Sequence, residues 1–129
     1  MARVILDSGA VIALAAGDAR ARAFVTRAMR QGDLLVIPAV VLAETTRGGA
    51  RDAPVNRVVN SVGDITPATE AIARQAGRLL AAVGLASATV DALIVAEAVL
   101  GGRATLLTGD VGDFSALADG HPHIRVHGV

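Results

Sequence analysis

Asp7, Glu44, Asp91, Asp110 and Asp113 are the residues of this 129-residue chain whose type and placement could do chemistry together. Asp7 follows directly on the run Arg3-Val4-Ile5-Leu6. Glu44 lies two turns into the segment opened by Pro38. Asp91 opens an apolar stretch, Asp110 follows Thr105-Leu106-Leu107 by way of Thr108-Gly109, and Asp113 is three residues further on. Carboxylates gathered in one place repel each other strongly. A fold keeps such a group when a cation neutralises it, and hard oxygen donors select Mg²⁺ or Mn²⁺. Such ions serve phosphodiester hydrolysis, where one or two of them activate water and steady the attacking and leaving oxygens.

The elements that must position these acids alternate between strand and helix. Arg3–Leu6 reads as a short buried strand. Gly9–Ala16, apolar all round, reads as a buried helix or turn. Asp18 is an N-cap for a helix over Ala19–Arg30, stopped by Gln31-Gly32. Leu34–Ile37 is a second strand, and Pro38 suits the first turn of a helix that runs through Glu44 to about Arg47. Val55, Val58, Val59 and Val62 have helical spacing. Ile65 falls on a brief third strand. A helix over Ala68–Val83 carries an apolar stripe of Ile72, Ala76, Leu79, Leu80 and Val83, and Gly84 ends it. Another apolar helix covers Ala92–Leu100. Thr105–Leu107 and Ile124–Val126 are the last strands.

This alternation, with short links and no repeat or linker, predicts one domain with a three-layer α/β/α sandwich and a mostly parallel sheet. In open α/β sheets, ligand sites lie beyond the carboxyl ends of the strands. Asp7, Glu44 and Asp110 therefore converge on one edge by topology. Asp91, at the start of its helix, is either a dipole partner or a fourth member of that pocket, and Asp113 can reach the same loop.

Each acid by itself has a plainer reading, because an aspartate after a strand is more often a helix N-cap. Asp18, Asp33, Asp52, Asp64 and Asp119 read as caps, turns or solvated charges. Glu97 lies about 240° around its helix from Asp91 and reads as a surface or paired charge. The order of the acids and their strand contexts carry the specificity.

Composition narrows the chemistry further. The chain has no cysteine, which removes disulfides, thiolate zinc sites and cysteine nucleophiles and suits a reducing cytosol. Twenty-seven alanines and only two aromatics, Phe24 and Phe114, leave a core of Val, Leu, Ile and Ala. No apolar run approaches the roughly 18 residues needed to span a bilayer, and Ser8–Gly17 is too short for a signal segment beside Asp7. The expectation is a cytoplasmic protein without a membrane partner. All 12 basic residues are arginine and the formal net charge is zero, so the chain outside the five acids carries a surplus of five positive charges. Arg47, Arg51 and Arg57 are either phosphate contacts or solvated helix charges. His121, His123 and His127 read as an exposed terminus rather than a metal site.

The ordered motifs resemble those of a known family. Val4-Ile5-Leu6-Asp7-Ser8-Gly9-Ala10 resembles the opening of PIN domains. Pro38-Ala39-Val40-Val41-Leu42-Ala43-Glu44, Val90-Asp91-Ala92-Leu93-Ile94-Val95-Ala96 and Leu107-Thr108-Gly109-Asp110-Val111-Gly112-Asp113-Phe114 resemble their later acidic motifs. Length and spacing resemble the VapC toxins of type II toxin–antitoxin systems. The resemblance implies a Mg²⁺-dependent endoribonuclease, with Mn²⁺ as a substitute. It implies Asp7 and Asp91 as direct metal ligands, with Glu44, Asp110 and Asp113 completing the pocket directly or through water. Thr108 or Ser8 would hydrogen-bond a ligand carboxylate or the scissile phosphate. It further implies an RNA substrate, a homodimer and a cognate VapB-like antitoxin whose tail blocks the groove. Gly9, where many relatives carry Ser or Ala, departs from the commoner pattern, with an effect expected on local backbone freedom.

Rival readings lack their residues. A phosphoacceptor receiver domain and a haloacid-dehalogenase-like phosphatase each need a lysine, and the chain has none. A dinucleotide binder needs G-x-G-x-x-G and a serine hydrolase G-x-S-x-G, and neither occurs. An RNase H-type nuclease shares the acidic chemistry, but the ordered motifs fit it less well. Two alternatives remain within the PIN fold: a housekeeping RNA-processing nuclease, and a catalytically weak binding protein.

Overall fold

The computed structural model describes residues 2–84 and 88–129. Its chain order is β1 (Arg3–Leu6), α1 (Ser8–Ala15), α2 (Ala19–Arg30), β2 (Leu34–Pro38) and α3 (Ala39–Thr45). A 3-10 turn (Ala50–Asp52) leads into α4 (Ala53–Val62) and β3 (Ile65–Thr66). There follow α5 (Glu70–Val83), α6 (Thr89–Leu100), β4 (Ala104–Thr108), α7 (Val111–Ala118) and β5 (Ile124–Gly128).

The five strands form one parallel sheet in the order β3-β2-β1-β4-β5. Parallel strands are reached by helical crossovers and need cover on both faces. That is why β1, β2 and β4 read as continuous apolar runs. One helical group contains α1, α2 and α4, and the other contains α5, α6 and α7. Helix α3 touches both α1 and α6. Ile5, Leu6, Ile37, Ile94, Leu106, Leu107, Phe114 and Leu117 are the largest of the fully buried side chains in the core between them.

The sheet order places the site. From β1 the chain first builds outward through β2 and β3, then returns to lay β4 against the other side of β1. The direction of winding therefore reverses between β1 and β4, and a crevice opens there beyond their carboxyl ends. Asp7 is the first residue after β1, and Leu6 pairs with Leu107 of β4, one residue before Thr108.

Three local readings differ from the sequence expectation. Helix α1 is only partly buried: Ala10 and Val11 are enclosed, but Ile12 is 53 % exposed, because one side of this helix meets α3 and α4 and the other meets solvent. Helix α6 starts at Thr89, so Asp91 stands inside its first turn rather than before it. Helix α7 was not expected at all. It forms because Asp110 caps it, accepting from the Asp113 N–H at 3.2 Å, while Phe114, Leu117 and Ala118 bury one face.

Of the acids read as caps or turns, Asp18 caps α2 through the Ala21 N–H at 2.8 Å. Asp52 is buried, and its carboxylate accepts from the backbone N–H groups of Arg47 and Gly48, which closes the loop after α3. Glu97 is not at the surface: it is 7 % exposed and accepts a hydrogen bond from the Thr66 hydroxyl. Helix α6 is enclosed on nearly every side, so position around its axis does not predict exposure. Burial raises the Glu97 pKa, and the Thr66 bond and nearby Arg3 offset part of this.

Candidate metal centre

Asp7 caps α1, and the cap holds it at the floor of the crevice. Its Oδ1 accepts from the Ala10 N–H at 2.7 Å, and its Oδ2 accepts from the Thr108 hydroxyl. The Thr108 oxygen in turn accepts from the Asp110 N–H at 2.9 Å. One fully buried hydroxyl thus ties the acid after β1 to the loop after β4. Asp7 is 5 % exposed, and burial raises its pKa. Bonds from Thr108, Ala10 and Gly109 work against that rise, and the charge of Glu44 adds to it.

Asp91, Asp110 and Asp113 form the closest group: one carboxylate oxygen from each lies within 4.8 Å of the others. Helix α6 presents Asp91 from its first turn, and α7 presents Asp110 from its cap and Asp113 from its first turn. The Asp91 pKa is pushed up to about 6, first by burial and then by the charges of Glu44, Asp7, Asp110 and Asp113. All five acids singled out in the sequence therefore act on one spot. The cap reading and the cluster reading are compatible at Asp110, which caps α7 and belongs to the close trio.

Glu44 stands exposed at the rim on α3 and accepts from the Ser8 hydroxyl. Asp7 and Glu44 lie outside the ion-sized group formed by the other three. The Arg47 guanidinium donates to the Ala43 and Thr46 carbonyls. Arg57 lines a different, apolar groove beside α2 and α4.

Gly9 matters through space rather than backbone freedom, since its φ is not positive. A Cβ there would stand 2.9 Å from the Gly109 nitrogen and 3.0 Å from its Cα. The two glycines let α1 close against the β4–α7 loop, a requirement that only the tertiary packing reveals. Gly9→Ala is expected to wedge these segments apart and to destabilise the protein by about 1–3 kcal/mol. Urea unfolding of the variant measures this.

Thr108 carries a larger local role. Thr108→Val keeps the shape but strips Asp7 Oδ2 and the Asp110 N–H of their common partner. A lost supporting bond of this kind lowers metal affinity about 10–100-fold, and Thr108→Ser should restore most of it. Calorimetric titration with Mn²⁺ separates the two variants.

The donor set suits a hard divalent cation. It offers carboxylate oxygens from two elements, α6 and α7, no thiolate, and an Asp91 whose proton affinity is raised first by burial and then by the surrounding negative charges. The PIN domain family profile matches residues 4–120. The chain belongs to the PIN domain family. None of the curated proteins matches it. Among solved structures, it is similar to a chain of VapBC2 from Rickettsia felis, bound to a fragment of promoter DNA. The TM-score is 0.77 at 17 % identity, over 98 % of each chain. It is similar to a chain of DNA-bound VapBC from Salmonella typhimurium, with TM-score 0.73, 17 % identity, and 99 % and 98 % of the two chains covered. A toxin–antitoxin complex from Klebsiella pneumoniae gives TM-score 0.69 at 22 % identity over 94 % of each chain. The PIN fold expected from the motifs is thus the fold observed. Among the described residues, no helix is long and apolar enough to cross a membrane.

Proposed function

We propose that this PIN domain is a Mg²⁺-dependent endoribonuclease that acts as the VapC-like toxin of a toxin–antitoxin pair. The observation that carries the reading is the convergence of five carboxylates at the β1/β4 crevice, three of them within reach of one ion. Asp91, Asp110 and Asp113 would hold Mg²⁺ or Mn²⁺, with Asp7 completing the set from below. A bound cation supplies positive charge that neutralises these acids and polarises a phosphodiester. The chain's own residues do the rest. Thr108 fixes the rotamer of Asp7 and the height of Asp110. Ser8 steadies Glu44, whose exposed carboxylate is the rim acid that takes the proton from an attacking water.

The partner follows from a second surface. Leu14, Val25, Met29, Val58 and Val62 line an apolar groove of about 340 Å³, with Arg22 and Arg57 on its walls. Its chemistry fits the apolar face of an antitoxin helix followed by acidic residues. The structural neighbours named as VapBC complexes support an antitoxin of the VapB kind. The proposal extends to a toxin that pairs as a homodimer and acts in the cytoplasm.

Induced expression in a bacterial host tests this reading. Growth arrest with intact messenger synthesis, lost in Asp7→Asn and relieved by co-expression of the small protein encoded beside it, is the expected result. Unimpeded growth with abundant folded wild type would contradict the toxin assignment.

A further inference from the structure

A second polar concavity lies apart from the acidic cluster, on the half of the sheet made by β4 and β5. Alternation along parallel strands puts Thr105, Arg125 and His127 on one face, with Thr105 paired to Arg125. Helix α2 borders that face with Phe24 and Arg27, and Arg103 stands at the entry to β4. Together they wall a groove of about 920 Å³. The ion pair found among the described residues is Arg74–Glu70, far from here. None of the three groove arginines is therefore paired with a carboxylate among those residues. Asp33 is the acid on the wall, and it already accepts from the Ala2 N–H at 3.2 Å. Phe24 and His127 stack with ring centroids 4.4 Å apart.

We propose that this groove binds the backbone of single-stranded RNA and holds the strand for the acidic site. The inference rests on the ribonuclease reading and adds where the substrate is gripped. Five clustered carboxylates repel phosphate until a cation neutralises them, so on a chain of zero net charge further attraction for the strand has to come from arginines outside the cluster. Three arginines against one aspartate supply that attraction, and guanidinium forks match phosphate oxygens in pairs. The Phe24–His127 pair offers an aromatic surface to an unstacked base, a contact that single strands provide and duplexes do not. A protein helix is better served by the apolar groove beside α4, since the walls here are charged. The groove's walls include Ala2, Asp33 and Arg103, at the amino ends of β1, β2 and β4, so a strand gripped there would run the length of β4, roughly 15 Å, to reach the acids beyond the carboxyl ends.

The test is fluorescence anisotropy of a short single-stranded oligoribonucleotide with the full chain in EDTA, so that cleavage is silent. Salt is varied from about 50 to about 200 mM, the range in which phosphate contacts separate clearly. The triple variant Arg27→Gln, Arg103→Gln, Arg125→Gln should bind more weakly. The slope of log affinity against log salt should become shallower by about 2, as losing three single-strand phosphate contacts requires. The charge-matched variant Arg20→Gln, Arg74→Gln, Arg78→Gln should keep the wild-type slope. Lysines at the three groove positions should recover most of the slope lost. Thermal unfolding checks that each variant folds, and Arg125→Gln alone serves if the triple variant does not. Equal loss in the groove and control variants overturns the proposal. So does a groove variant that keeps single-stranded RNA but loses duplex DNA or an acidic peptide. If wild type binds no RNA at all, the ribonuclease reading falls as well, whereas wild-type binding that ignores these arginines sinks only the groove.

Discussion

Asp91→Asn is expected to lower metal-dependent RNA cleavage by about 10²–10³-fold, the usual cost of removing one positioned electrostatic group from an active site. The fold should survive. Asparagine has nearly the same shape as aspartate, and Asp91 lies in the first turn of α6 without capping it. The loss is large because Asp91 is the point on which the other four acids act, and it is the member of the close trio supplied by α6. Asp110 and Asp113 share α7, so neither can stand in for the carboxylate that α6 supplies. Initial rates with Mg²⁺ in excess separate lost chemistry from lost affinity. A rate that recovers at high metal concentration would mean that Asp91 contributes binding alone.

The same substitution is expected to stabilise the metal-free protein, and the effect depends on pH. The folded-state pKa of Asp91 is raised to about 6 from 3.8. Between these values the folded chain holds a proton that the unfolded chain has released, so stability falls as pH rises through the window. Above about pH 6 the loss is complete. Asp91 is only half-buried, so solvent screens part of the repulsion and leaves about 1–2 kcal/mol. Burial raises Asp7 and Glu97 in the same direction. In EDTA, Asp91→Asn should therefore match wild type near pH 4 and exceed it by about 1–2 kcal/mol at pH 7. Mg²⁺ should reverse the order at pH 7, because only the wild type gains the full cation contribution. At pH 4 protons compete for the same oxygens and Mg²⁺ should have little effect. Urea unfolding at the two pH values, with and without metal, measures all of this. A wild type that is the more stable at pH 7 in EDTA would show that Asp91 is held by partners rather than strained by neighbours.

The acids were legible in the sequence because topology does the positioning. A strand that ends in Asp7 and another that runs into Asp110 must bring both to the same edge if the strands are parallel and adjacent. The division of labour among them was not legible. Asp7 is committed to Ala10 and Thr108, and that follows from a hydroxyl 101 residues away. The ion-sized trio depends on α7, which sequence reasoning missed. Val111-Gly112-Asp113 reads as a turn, because glycine is a poor helix former, and an eight-residue helix leaves little room for an apolar stripe to declare itself. Phe114, Leu117 and Ala118 had helical spacing, and that signal was available. Glu97 failed for a different reason: α6 is apolar on all sides, so its sequence carries no marker of which face meets the sheet. The close approach of Gly9 to Gly109 joins segments a hundred residues apart, and nothing local announces it.

The most direct measurement is cleavage of total cellular RNA by antitoxin-free protein, with Mg²⁺ or Mn²⁺ against EDTA, and with Asp91→Asn as the matched control. Discrete fragments that appear only with metal and only with Asp91 intact are the predicted result. Cleavage that persists in EDTA or in Asp91→Asn, or none from folded wild type with saturating metal, would contradict a carboxylate-held metal as the seat of activity.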